Sequence, residues 1–200
     1  MEYPFHLIPK GNNGQNVFDD DEDRLVMLNI IRSCKDDIGF TLYHYCLMTN
    51  HVHLVLRPHD HKKMPEITRY INLTYSLYHK KKYGRVGHLW RNRSKKYVIW
   101  NDEYAAVIGP YVESNPVKAG IVGRAEEHQW SSARFYILRK YDDLITPAPW
   151  FLALGKTDIR RIASYKRKLE FLATKNNAKK YMRKLEKLIN VQITTERVAA

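Results

Sequence analysis

The sequence predicts an α+β fold, a ferredoxin-like sandwich in which an antiparallel sheet carries helices. Three observations predict it. Between residues 3 and 99, apolar patterns of period two and period 3.6 follow one another as strand, helix, strand, strand, helix, strand, the order of that fold. Only Thr49-Asn50 separates the two middle strands, which makes them a hairpin. A 44% apolar share of 200 residues is enough for a sizeable core.

Residues 3–8 read as the opening strand, and the PKGNNGQN that follows is rich in turn-forming Gly and Asn. Asp19 to Asp23 place acidic charge at the start of a helix in which Leu25, Leu28, Ile31 and Cys34 recur at helical spacing. Phe40, Leu42, Tyr43, Tyr45 and Leu47 mark the second strand. The third lies in LMTNHVHLVLRP. Successive strand side chains point to opposite faces, so Val52, Leu54 and Leu56 share one face and His51 and His53 the other. A second helix spans residues 65–82, with Ile67, Ile71, Thr74 and Leu77/Tyr78 on one side, and residues 95–99 form the fourth strand. In this topology the third strand is central, which puts the histidine pair on the most rigid part of the sheet.

Past Trp100 the pattern is helical again, with Asn101 as N-cap, Asp102 and Glu103 in the first turn, and an end at Asn115-Pro116. From about Pro147 the composition shifts to basic helix, in TDIRRIASYKRKLEFLATKN and then NNAKKYMRKLEKLINVQI, with an apolar stripe of Ile159, Ile162, Tyr165 and Leu169 in the first of these. The expected division is a domain over residues 1–146 and a basic helical extension over 147–200.

Lys and Arg number 34 against 21 Asp and Glu, a net charge of +13 that favours a polyanionic partner, nucleic acid first. No apolar stretch approaches the ~20 residues needed to span a bilayer, and MEYPFHLIPK lacks a signal peptide's apolar centre, so a cytoplasmic protein is expected. Cys34 and Cys46 are too few for a disulfide framework and read as small core residues.

Chemistry gathers at two places. His51 and His53 project side by side, as hydrogen-bonded histidines or as half of a metal site. In YVESNPVKAG, Tyr111 and Asn115 are four apart and share a helical face if the helix runs through them. Two neutral imidazoles and an amide oxygen leave room for water and phosphate oxygens around a divalent ion, a mixed N/O set that suits Mn²⁺ or Mg²⁺, with imidazole favouring Mn²⁺. Tyrosine beside such an ion is placed for covalent phosphoryl chemistry, although its ordinary pKa of about 10 makes it a weak nucleophile and the sequence names no acceptor for its proton. Gly109-Pro110 precedes Tyr111 directly and predicts a kink or a fresh helical start at Pro110. Tyr104, two turns earlier, is the rival nucleophile. His6, His59, His61, His88 and His128 have no partner spacing that assigns them a role. A zinc hydrolase is disfavoured, because no His-Glu-x-x-His element accompanies the pair.

Between His79 and Lys96 the chain carries Lys80, Lys81, Lys82, Arg85, Arg91, Arg93, Lys95 and Lys96 with no acidic residue, interleaved with Tyr83 and Trp90. Cations to neutralise phosphates and an aromatic for base stacking are what single-strand binding requires. Lys118, beyond Asn115, is counted with them.

Taken in order, HVH at 51–53, YGRVGHLWRNRSKK, YVESNPVKAGIV and HQWSS resemble the single-tyrosine HUH (His-hydrophobe-His) transposases, and the fuller text resembles their REP-associated (RAYT) branch over roughly the first two thirds of the chain. The resemblance implies a metal bound by His51 and His53 and completed by Asn115, with Tyr111 as nucleophile. It also implies cleavage and rejoining of single-stranded DNA at imperfect hairpins through a 5′-phosphotyrosine and a free 3′-OH. A monomer is the implied state, with a dimer the alternative. Two other functions remain open on the sequence: a replication or conjugative nickase, and a non-catalytic DNA-binding relic of the fold.

Overall fold

The computed structural model describes residues 3–91, 93–174, 176–180 and 183. Most of the second basic helix expected near the end lies outside the described residues. The elements that position the site are β1 (Phe5–Ile8), α1 (Asp21–Cys34), β2 (Phe40–Met48), β3 (His51–Pro58), α2 (Met64–Tyr83), β4 (Lys95–Val98), α3 (Asp102–Glu113) and the short α4 (Asn115–Lys118). After them come α5 (Ala133–Leu138), α6 (Pro149–Leu152) and α7 (Asp158–Ala173). Strand order is β2-β3-β1-β4, antiparallel throughout, so the ferredoxin-like sandwich expected from the element order is the one found. Among the described residues, no helix is long and apolar enough to cross a membrane.

Cross-strand pairing sorts the two faces. Leu7 lies opposite Leu54 and His6 opposite Val55, so Leu7, Val52, Leu54 and Leu56 share one face while His6, His51 and His53 share the other. On β2 the register shifts between Leu42 and His44. That bulge at Tyr43 turns His44, Cys46 and Met48 toward the histidine face and keeps Leu42, Tyr45 and Leu47 on the opposite one. The sequence carries the same shift, as apolar residues at 40 and 42 and then at 43, 45 and 47. The helix α3 packs over the histidine face against β2 and β3. That leaves the purely apolar face to the packed pair α1 and α2.

Helix starts follow the sequence. Asp20 and Asp23 form a capping box at α1, and the Asn101 carboxamide oxygen accepts from the Tyr104 backbone N–H at 2.7 Å. Helix faces differ from expectation by a small rotation. In α1 the inward residues are Met27, Ile30, Ile31 and Cys34, and Leu25 is 53% exposed. In α2 Ile67, Ile71, Tyr75 and His79 face inward, while Thr74 and Leu77 face out. Tertiary packing chose the larger Tyr75 over Thr74 for the same slot. On α7, Tyr165, Leu169 and Leu172 are buried in the same apolar cluster as Ile108 and Val112 of α3, whereas Ile159 is 82% exposed, outside the stripe expected for it.

Candidate active site

His51 and His53 stand on β3 with ring centroids 4.8 Å apart. Each ring uses Nδ1 for a hydrogen bond: His51 to Asn50 Oδ1 at 2.6 Å, and His53 to His6 Nε2 at 2.9 Å. Nε2 is therefore the nitrogen those bonds leave to each ring. Burial pushes His51 down to about 4, helped by the Lys10 charge, and holds His53 well below its usual range. Both are neutral at pH 7, the form in which imidazole ligates a metal. His6, which the sequence reading left without a role, is wholly buried beside them. Its signal was present: strand alternation sets His6 apart from Phe5 and Leu7, and the predicted topology makes β1 the neighbour of β3.

Tyr111 lies beside His53 and His6. Its ring centroid lies 6.4 Å from that of His53 and 6.3 Å from that of His6, edge-on to both. Of the kink or fresh start expected at Pro110, the fresh start does not occur, since α3 runs unbroken through Gly109 and Pro110. Two local devices explain this. A Cβ at residue 109 would collide with the His44 ring and come within 2.7 Å of the Tyr165 hydroxyl, so glycine lets the helix lie directly on β2. Proline lacks the N–H that would pair with the Ala106 carbonyl, and Lys168 Nζ of α7 donates to that carbonyl instead, at 3.1 Å. An interior proline normally costs about 3 kcal/mol or more, and here a side chain from another helix fills the gap it leaves.

The end of α3 concentrates donors on one atom. The Tyr111 carbonyl accepts from Ser114 Oγ at 3.0 Å, Asn115 Nδ2 at 3.1 Å and Lys118 Nζ at 3.1 Å. Lys118 also sits over the Tyr111 ring, 4.0 Å from its centroid. Burial lowers its ammonium to about 8. A cation on the ring face favours the phenolate over the phenol. Asn115 donates a second bond to the Val112 carbonyl at 3.0 Å, so its amide hydrogens face the helix end and Oδ1 is the atom it has to offer a ligand. Tyr104, the rival nucleophile, is 1% exposed and its hydroxyl lies 3.4 Å from His6 Nδ1, beneath the site rather than at its mouth.

Among the described residues no group of three His, Cys, Asp or Glu converges on one point. An ion held here would draw on two Nε2 atoms and complete its shell with amide, water and phosphate oxygens, a set that fits Mn²⁺ or Mg²⁺.

The basic run divides. Lys82 is bound by Asp20, Glu22 and Asp23 at 2.8 to 3.0 Å, and Arg85 by Asp19 at 2.8 Å, so both tie the end of α2 to the start of α1. Asp23 is buried, which alone would raise it, yet bonds from the Asp19 backbone, Lys82, Tyr83 and Tyr78 bring it down to about 2. Trp90 is half-buried, its indole N–H donating to the Asn72 carbonyl at 2.9 Å and its ring 5.8 Å from Tyr75, contacts that hold the ring against α2. Lys80, Lys81, Arg91, Arg93, Lys95 and Lys96 are exposed. Of these, Lys95 lies opposite Ile8 on the edge strand and so shares the face of His6.

The family model described as Transposase IS200 like matches residues 1–115, from the first strand to the Asn115 that follows α3, and the chain belongs to that family. Among solved structures it is similar to a REP-associated tyrosine transposase bound to a REP hairpin, at 17% identity and TM-score 0.58, covering 72% of this chain and 88% of that one. It is also similar to a proposed transposase from Deinococcus radiodurans, at 19% identity and TM-score 0.44, covering 56% of this chain and 90% of the other. No curated protein matches the chain.

Proposed function

We propose that this transposase is a metal-dependent single-stranded DNA endonuclease and strand transferase of the REP-associated kind, acting at DNA hairpins with Tyr111 as nucleophile. The observation that carries the reading is Tyr111 edge-on to His53 at 6.4 Å with Lys118 over its ring at 4.0 Å. The Tyr111 phenolic oxygen bonds to phosphorus, the bond from phosphorus to the 3′ oxygen breaks, and the proton given up by the phenol is balanced by the one gained by the 3′-OH. The product is a 5′-phosphotyrosine whose ester energy lets a second 3′-OH reverse the step without ATP. His51, His53 and Asn115 would hold Mn²⁺ or Mg²⁺, which when bound supplies Lewis-acid charge at the scissile phosphate. Lys118 steadies the phenolate, a role within the site for a residue first counted among the DNA contacts. The exposed Lys80, Lys81, Arg91, Arg93, Lys95 and Lys96 neutralise DNA phosphates, so affinity falls steeply with salt. The chain acts as a cytoplasmic monomer, with residues 147–200 as a basic extension of the catalytic domain.

The test is incubation of the protein and Tyr111→Phe with hairpin-bearing single-stranded DNA and Mn²⁺. A denaturant-stable protein–DNA adduct in the wild type, absent from the variant, supports the reading. Binding without cleavage in both would make the chain a DNA-binding relic.

A further inference from the structure

The polar chemistry beneath the site runs on from His53, the proposed ligand, through two buried side chains that the reaction itself does not use, His6 and Tyr104. His53 Nδ1 lies 2.9 Å from His6 Nε2, and His6 Nδ1 lies 3.4 Å from the Tyr104 hydroxyl. All three are buried, at 4%, 0% and 1% exposure. The His6 ring is nearly parallel to that of His53, with 24° between planes and 5.1 Å between centroids, and Tyr97 and Tyr111 flank it at 6.1 and 6.3 Å. Nothing in phosphoryl transfer needs a buried imidazole here. Placing a polar ring in the core costs free energy unless its nitrogens are paired, so its neighbours must make use of it.

The two histidines of the pair differ in what holds them. His51 faces the carboxamide oxygen of Asn50, which only accepts, so the His51 proton sits on Nδ1 and its Nε2 keeps a lone pair. His53 faces another imidazole, which can give or receive. One proton lies in the bond between His53 and His6, and its owner decides whether His53 Nε2 bears a lone pair or a hydrogen.

We propose that His6 is a positioning residue that accepts the His53 Nδ1 proton, with Tyr104 accepting from His6 Nδ1, and so holds His53 in the tautomer whose Nε2 can bind a cation. The inference rests on the metal reading of the His51/His53 pair. Ligating histidines characteristically donate their second N–H to an acceptor behind them, and losing that acceptor typically lowers metal affinity about 10- to 100-fold. Here the acceptor is a neutral ring backed by a phenol.

The experiment uses the full chain. Free Mn²⁺ is titrated by electron paramagnetic resonance in the wild type, His6→Phe, His6→Gln and Tyr104→Phe, and the histidine tautomers of the metal-free protein are read from long-range ¹H–¹⁵N spectra. Expected are His53 protonated at Nδ1, Mn²⁺ affinity about 10- to 100-fold weaker in His6→Phe, and recovery in His6→Gln, whose amide oxygen can accept the same proton. The Tyr104→Phe change has a smaller effect in the same direction. Equal affinity in His6→Phe and the wild type overturns the inference and leaves the metal reading standing. A wild type that takes up no Mn²⁺ ends the metal reading, and the tautomer spectrum then judges His6 by itself: His53 found protonated at Nε2 refutes the assignment. Should His6→Phe fail to fold, His6→Gln and Tyr104→Phe carry the same comparison.

Discussion

Two polar clusters hang from the same helix, two residues apart, and they are built on opposite terms. Glu113 is wholly buried, and its carboxylate is close to saturated: it accepts from His44 Nδ1 at 3.0 Å, Ser132 Oγ at 2.6 Å and the Tyr165 hydroxyl at 2.8 Å. Trp150 Nε1 closes the far side by donating to His44 Nε2 at 3.1 Å. That network joins β2, α3, α5, α6 and α7 and leaves nothing to offer a substrate. Around Tyr111 the charge is cationic, from Lys118, and the imidazoles are neutral with Nε2 outside their Nδ1 bonds. A satisfied network rigidifies; a cation-rich site with ligand atoms to spare attracts an anionic phosphate.

Substitutions can break the contrast. Tyr111→Phe is expected to abolish the covalent DNA adduct while costing about 1 kcal/mol or less of stability, since the residue is only half-buried and the change removes a single oxygen. Denaturant melts beside adduct gels check both halves. Glu113→Ala should do the reverse, costing about 3–5 kcal/mol in urea unfolding because it strands buried donors, and a variant as stable as the wild type would refute the structural role of this cluster. Lys168→Met leaves the Ala106 carbonyl unpaired and should cost about 1–3 kcal/mol. Adding Pro110→Ala restores an N–H to that carbonyl, so the double variant should recover most of the loss, and simple additivity of the two changes would show that the lysine does not compensate for the proline.

Smaller effects sharpen the electrostatics. Lys118→Met should slow cleavage about tenfold below pH 8, the scale of a desolvated cation on an aromatic face. Because Lys118 loses its charge as pH rises through about 8, the gap to wild type should narrow above that, and a constant gap across the pH profile would assign Lys118 a purely steric part. Burial, with the His51 charge adding, brings His6 down to about 3, and His51 lies at about 4; in the unfolded chain both protonate near 6.5. Their folded pKa values are depressed, so their contribution to stability is complete above about pH 6.5 and is lost as pH falls toward 4 and then 3. Unfolding free energies that stay flat from pH 7 to 4 would contradict this.

Much of the site was legible in the chain. Alternation put His51 and His53 on one face and the element order set β3 inside the sheet, whereas α3 ends at Glu113, so the helix does not run on through Asn115, which meets Tyr111 at its backbone carbonyl. Three things were hidden. Lys82 looks like one more exposed cation until Asp20, Glu22 and Asp23, some sixty residues earlier, fold against it. The Trp90 indole N–H looks unengaged until it finds the Asn72 carbonyl. Pro110 looks like a break until Lys168 arrives from α7. Each depends on a partner distant in sequence, and local patterns carry no information about which distant group will supply a hydrogen bond.

The sequence by itself determined the strand and helix order, the face on which the two histidines stand and the overall positive charge, because these follow from side-chain periodicity and composition along a continuous stretch. Only the tertiary structure decided that His6 backs His53, that Lys118 covers the Tyr111 ring and that α3 survives its proline. Those are close approaches between segments whose separation along the chain is large, and they exist only once the sheet is paired and the helices are packed onto it.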